Sequence, residues 1–190
     1  MNQWIANAIT SWSLGTEYDR NSEKFQIVSY GILLTIETVY KIIILIFLGE
    51  IIGAFPETIA FLIGFCGLRK NAGGFHMRSS AGCMLSVMLM WTISITGSML
   101  RMSFYSNMIL SFVTLFLVAA YAPCTTSNNP IKDVMLRKRK RVNAIAYVVI
   151  VSIIAYFLEF NGHLRLGRVL VVSMLLEALT IIHIRKEKKS

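Results

Sequence analysis

Six stretches of this chain are apolar for long enough to cross, or nearly cross, a bilayer as helices, and they constrain everything else. They run approximately Phe25–Gly49, Ile51–Leu68, Met84–Leu100, Phe104–Ala122, Val142–Leu158 and Leu166–Ile184, against the roughly 20 residues a spanning helix needs. In hydrocarbon every backbone N–H and C=O must be satisfied within the protein, so a span is either a helix or part of a closed barrel. Sustained alternation of apolar and polar residues, the mark of barrel strands, is missing from these runs. A composition of 55% hydrophobic and 15% charged residues, with a mean hydropathy of +0.62, also sets the chain apart from soluble domains. The expected fold class is an all-α polytopic membrane protein, with about six transmembrane helices in one membrane domain over residues 1–190. No internal repeat or low-complexity tract interrupts it.

The first residues, "MNQWIANAITSWSLG", lack a basic n-region, and their apolar residues are dispersed, so they do not read as a cleavable signal. Trp4, Ile5, Ala8, Ile9 and Trp12 recur at helical spacing, with Asn2, Asn7 and Ser11 between them. That pattern predicts an amphipathic helix over residues 1–14, lying in the membrane interface.

Net charge is +9, and the placement of the charge carries information. With the N-terminus, the 69–80 and 123–141 links and the C-terminus on one side, that side holds 15 of the 19 Lys and Arg residues. The positive-inside rule then predicts a multi-pass membrane protein with both termini in the cytoplasm. The tract "RKRKR" (Arg137–Arg141) dominates this asymmetry. It serves as a topology anchor beside anionic lipid, as a partner-binding patch, or as both. Membrane lipids are expected partners; nucleic acid is not.

Within the first span, Glu37 and Lys41 stand four residues apart, so they share a helix face and can neutralise each other. Intramembrane charges often mark a substrate or ion path. A small transporter or channel built on this pair is therefore the alternative function, beside a purely structural ion pair. Gly64 and Gly67 would let helices approach closely, either inside the bundle or at the interface of a homodimer.

The break between the second and third spans, "RKNAGGFHMRSSAGC" (Arg69–Cys83), concentrates the reactive side chains. Ser79 and Ser80 are good N-cap residues for the helix that follows. With Ser80 as the N-cap, Cys83 takes the N3 position, where the positive end of the helix dipole and nearby Arg78 favour a thiolate. His76 lies seven residues before Cys83, about 10 Å along the axis of a continuous helix at ~1.5 Å per residue. Proton transfer needs an approach of about 3 Å, so His76 serves Cys83 only if the chain before the helix folds back. The pair Gly73-Gly74 supplies the freedom for that turn. The parts are those of a Cys–His nucleophile pair. The competing accounts are a small packed cysteine with a solvated histidine, and a zinc site of His76 with Cys66, Cys83 and Cys124. The zinc site lacks any C-x-x-C pair, no cofactor or metal is expected, and a cytosolic setting argues against a disulfide.

"GGFHMRSSAGC", preceded by "RK", resembles the His-x6-Cys motif of the accessory gene regulator protein B family. "YAPCTTSNNPIKD" (Tyr121–Asp133), followed by "RKRKR", resembles that family's proline segment and basic run, with a departure at Asn129, where a basic residue is expected before Pro130. The resemblance implies a cysteine endopeptidase of the bacterial cell membrane that processes a quorum-sensing pro-peptide. Cys83 would be the nucleophile and His76 its general base and acid. The substrate would be a short autoinducing pro-peptide with an amphipathic leader, a cyclising segment and an acidic tail, released as a thiolactone or lactone. Arg69, Lys70 and Arg78 are the expected substrate contacts, because a basic face attracts an acidic tail. Asn71 and Ser79 are the candidates for orienting His76.

Overall fold

A computed structural model describes residues 2–14, 22–73, 80–100, 103–124 and 133–187. The chain is all-α, as the hydropathy predicts. Its helices are α1 (Asn2–Leu14), α2 (Glu23–Ile51), α3 (Phe55–Ala72), α4 (Ser80–Met99), α5 (Phe104–Tyr121), α6 (Val134–Phe160) and α7 (Leu164–Glu187). Among the described residues, four helices are long and apolar enough to cross a membrane: those at Phe25–Ile51, Ala81–Met99, Phe104–Tyr121 and Val134–Phe160. The stretches expected to span at 51–68 and 166–184 fall in α3 and α7, which are not among the four.

Two helix boundaries differ from the sequence expectation. The second apolar run begins not at Ile51 but at Phe55, after a turn in which Gly53 takes a positive φ of 67°. There the amides of Gly53 and Ala54 bond back to the carbonyls of Glu50 and Gly49. Pro56, in the first turn of α3, has no amide to lose there, so the helix starts cleanly. Helix α6 begins eight residues before the expected span: Asp133 caps it, its carboxylate accepting from the Met135 amide at 2.8 Å. The tract 137–141 is therefore helical and largely exposed rather than a linker.

The chain forms two compact units, Met1–Leu48 and Gly49–Ser190. In the first, the Ser29 hydroxyl of α2 donates to Asn7 Oδ1 of α1 at 2.5 Å. Ala6 and Thr10 of α1 are buried, whereas Trp4 (77%) and Trp12 (88%) are exposed. The polar Asn7 side is thus tied to α2 and the indoles face outward, as interfacial anchoring requires.

In the second unit α7 is central, packing on α3, α4, α5 and α6. It buries Val169, Leu170, Val171, Met174, Ala178 and Ile181. Gly64 and Gly67 serve contacts within the chain. A side chain at position 64 would meet Ser173 and the Leu170 carbonyl of α7, and one at 67 would meet the Tyr147 ring of α6. A helix surrounded by protein has no need of a wholly apolar surface. That is how α7 carries Arg168 and Glu177 along its length.

The contacts distinguish the two ends of this unit. At one end lie the C-termini of α3 and α5 and the start of α6: the Cys124 amide donates to the Ala72 carbonyl at 2.9 Å, and Arg141 donates to the Ala119 carbonyl. At the other end, Arg168 Nη1 donates to the carbonyls of Leu100 (2.9 Å) and Ser98 (3.4 Å), Phe104 packs on Tyr156, and Asn107 donates to Glu159.

Candidate functional site

Cys83 lies in the first turn of α4, half-buried. Ser80 opens the described part of α4, so the thiol stands in its first turn. Its neighbour Ser86 turns its hydroxyl back to the Gly82 carbonyl at 2.9 Å.

The preceding helix ends in a defined turn. Gly73 is the C-cap of α3, with φ 76° and its amide donating to the Arg69 carbonyl at 3.0 Å. A Cβ at this position would run into the backbone carbonyl oxygen of Cys124. Both the conformation and the close approach require glycine. The first glycine of the pair thus ends α3. Gly74, His76, Arg78 and Ser79 lie outside the described residues. Asn71, one of the two candidates for orienting His76, turns its amide back to the Gly67 carbonyl at 3.4 Å.

The two sequence segments singled out above converge here. The Cys124 amide bonds to Ala72, and the Cys124 carbonyl packs on Gly73. Cys124, just past α5, therefore lies against the last residues of α3. Pro123 follows a cis peptide bond at this point.

Positive charge gathers at the same end. Lys70 is exposed and Arg69 partly so, both in the last turn of α3, and Arg137–Arg141 occupy the first turns of α6. The Arg69 guanidinium lies 5.5 Å from the Phe65 ring centre and 3.6 Å from a carboxylate oxygen of Glu177 in α7. Glu177 is fully buried. The Tyr147 hydroxyl donates to the Ile63 carbonyl at 2.6 Å.

Sequence reasoning missed Glu177 and Tyr147. An acidic residue inside the last apolar run, "LLEALT", was the available signal, since ionisable groups in apolar helices mark special positions. Cys66, Cys83 and Cys124 carry free thiols, and among the described residues no three His, Cys, Asp or Glu side chains gather as a metal-holding group. Glu37 and Lys41 pair at 3.8 Å, as their spacing predicts, within the first unit.

The sequence profile described as "Accessory gene regulator B" matches residues 3–181, nearly the whole chain and both converging segments. The chain belongs to the accessory gene regulator B family. Among its relatives is AgrB-like protein 2 of Clostridium perfringens (strain 13), 27% identical over 176 residues, covering 85% of this chain and 81% of that one. An AgrB-like protein of C. perfringens strain SM101 is 30% identical over 166 residues, covering 78% and 76%. The accessory gene regulator protein B of Staphylococcus carnosus is 23% identical over 177 residues, covering 90% and 92%. No solved structure matches the chain. Membership in the accessory gene regulator B family joins a quorum-sensing regulatory role to a helical membrane protein.

Proposed function

We propose that this member of the family is a membrane cysteine endopeptidase and cyclase acting on a quorum-sensing pro-peptide. The observation that carries this reading is the position of Cys83. It heads α4 across a short gap from Gly73, where the chain leaves α3 toward His76, at the end of the unit that gathers Lys70, Arg69 and Arg137–Arg141. A thiol at a helix start with a histidine seven residues away suits nucleophilic catalysis, and the basic surroundings suit an acidic substrate.

In the first step His76 takes the Cys83 proton and the sulfur attacks the peptide carbonyl at the tail junction. The tetrahedral intermediate collapses as His76 returns the proton to the leaving amine. The acidic tail departs, and the rest of the pro-peptide stays on Cys83 as a thioester. In the second step a Cys or Ser side chain inside the pro-peptide loses its proton to His76 and attacks that thioester. The ring closes as a thiolactone or lactone, and Cys83 leaves and regains its proton. Exchange of one thioester for another is nearly balanced in bond energy, so water must be kept out until the internal nucleophile arrives. A site at the membrane surface favours that. Lys70, Arg69 and Arg78 attract the tail, and the basic end of the unit faces the cytoplasm.

The test is Cys83→Ala and His76→Ala in membranes supplied with the cognate pro-peptide, together with mass spectrometry of the wild-type protein. Both variants should lose tail release, and an acyl adduct should be trapped on Cys83. Tail release at the normal rate in both variants would sink the proposal.

A further inference from the structure

Glu177 is an expensive residue where it stands. Its side chain is fully buried in α7, and neither carboxylate oxygen has a hydrogen-bond partner. Its ion pair with Arg69, at 3.6 Å, is longer than a hydrogen bond. A buried ion pair of this quality returns little stability over apolar residues of similar volume. Met174, Ala178 and Ile181 of the same helix are buried without any such demand. Glu177 therefore needs an explanation other than holding the bundle together.

What it touches supplies one. Arg69 stands in the last turn of α3, its guanidinium between the Phe65 ring and the Glu177 carboxylate, so its direction is set from two sides. The carbonyl of the same residue accepts the Gly73 amide that ends the helix. One residue thus joins the buried carboxylate of α7 to the turn at which the chain departs toward His76. The Tyr147 hydroxyl holds α3 one and a half turns earlier, at Ile63, and Cys124 holds it at Ala72. The final turns of α3 are fastened to α6, α7 and the segment after α5. Of these fastenings, only the one from α7 brings a charge.

We infer that Glu177 is a positioning residue of the site. It holds the Arg69 guanidinium, and through it the Gly73 turn that ends α3 ahead of the segment carrying His76. This rests on the peptidase reading above. Glu177 touches neither substrate nor the reacting sulfur; it acts through Arg69.

The experiment uses the full-length protein in membranes with its co-produced pro-peptide. It follows tail release, protein level, and labelling of Cys83 by N-ethylmaleimide in a background lacking Cys66 and Cys124. Glu177→Leu should keep the membrane protein level and the labelling of Cys83 yet slow tail release at least about tenfold, the scale of loss when a catalytic geometry slips by a fraction of an ångström. Glu177→Asp should recover part of the rate. In an Arg69→Leu background, Glu177→Leu should cause no further loss, because the two changes break one linkage. Wild-type tail release by Glu177→Leu would overturn the inference, as would a loss that multiplies with that of Arg69→Leu. Disappearance of both Glu177→Leu and the near-isosteric Glu177→Gln from the membrane would also overturn it, making Glu177 a folding group. Failure of the peptidase reading is seen separately, as tail release that survives Cys83→Ala.

Discussion

Gly73 and Cys124 meet backbone to backbone: the carbonyl oxygen of Cys124 occupies the space in which a side chain at position 73 would stand. The contact joins residues 51 apart in sequence and closes the segment after α5 onto the end of α3. Two motifs that look independent in the sequence are, in the fold, the two sides of one junction.

Gly73→Ala should therefore damage the site more than the size of a methyl group suggests. Holding alanine at φ 76°, ψ 168°, a region essentially reserved for glycine, costs about 1–3 kcal/mol, and a backbone carbonyl cannot swing aside as a flexible side chain can. The variant should insert into the membrane normally but release the tail at least about tenfold more slowly, since the departing chain is redirected. Parallel immunoblots and tail-release assays check this. A variant as active as the wild type would mean that the turn does not set the site.

Gly67 and Tyr147 make a graded pair. Tyr147→Phe removes the hydrogen bond to Ile63 and should destabilise the unit by about 1 kcal/mol. Gly67→Ala should cost more, because its methyl group would overlap the phenol oxygen and ring carbons alike. Denaturant unfolding in detergent, with both variants in one series, tests the order.

At the opposite end of the unit, Arg168 closes the C-terminus of α4 through the carbonyls of Ser98 and Leu100. Arg168→Met should lower stability by about 1.5–3 kcal/mol, the range for hydrogen bonds to a charged donor. Tail release per folded molecule should stay as it was. A large change in rate with unchanged stability would tie this end of the bundle to the chemistry.

The tract at the head of α6 allows a charge test. Changing Arg137, Lys138, Arg139 and Lys140 to Gln should raise KM for an acidic-tailed pro-peptide several-fold and leave kcat close to normal, because exposed charges act by long-range attraction. Arg141 is left in place because its guanidinium is engaged with the Ala119 carbonyl. The wild-type KM should itself rise with salt, since the screening length shrinks to about 8 Å at physiological ionic strength. KM values insensitive to both changes would remove the tract from substrate capture.

Much of the helical framework was legible because lipid leaves a chain so few options. The first-unit helices, α4 and α5 follow directly from apolar runs and their polar ends. The start of α6 was not legible from hydropathy, since residues 137–141 are all basic. Lys, Arg, Leu and Met are nevertheless good helix formers, and Asp133 offers a cap. At the site, the requirement for glycine at 73 comes from the Cys124 carbonyl, 51 residues away, which local sequence does not announce. Glu37 and Lys41 could be paired from spacing alone. Arg69 and Glu177 could not, because 108 residues separate them and only the packing of α3 on α7 brings them together. Local periodicity reports which face of a helix is buried, not which distant helix it meets.

The central place of α7 also sets an order of events during synthesis. This helix leaves the ribosome after α3, α4, α5 and α6, yet it is the surface on which all four pack. Until it arrives, the sides of α3, α4, α5 and α6 that it covers lack their final neighbour. The unit therefore reaches its final arrangement late, when its last helix inserts among helices already threaded. The counter-charge for Arg69 arrives with that same helix, so a nascent chain holds its thiol well before it holds the charge pair at the end of α3.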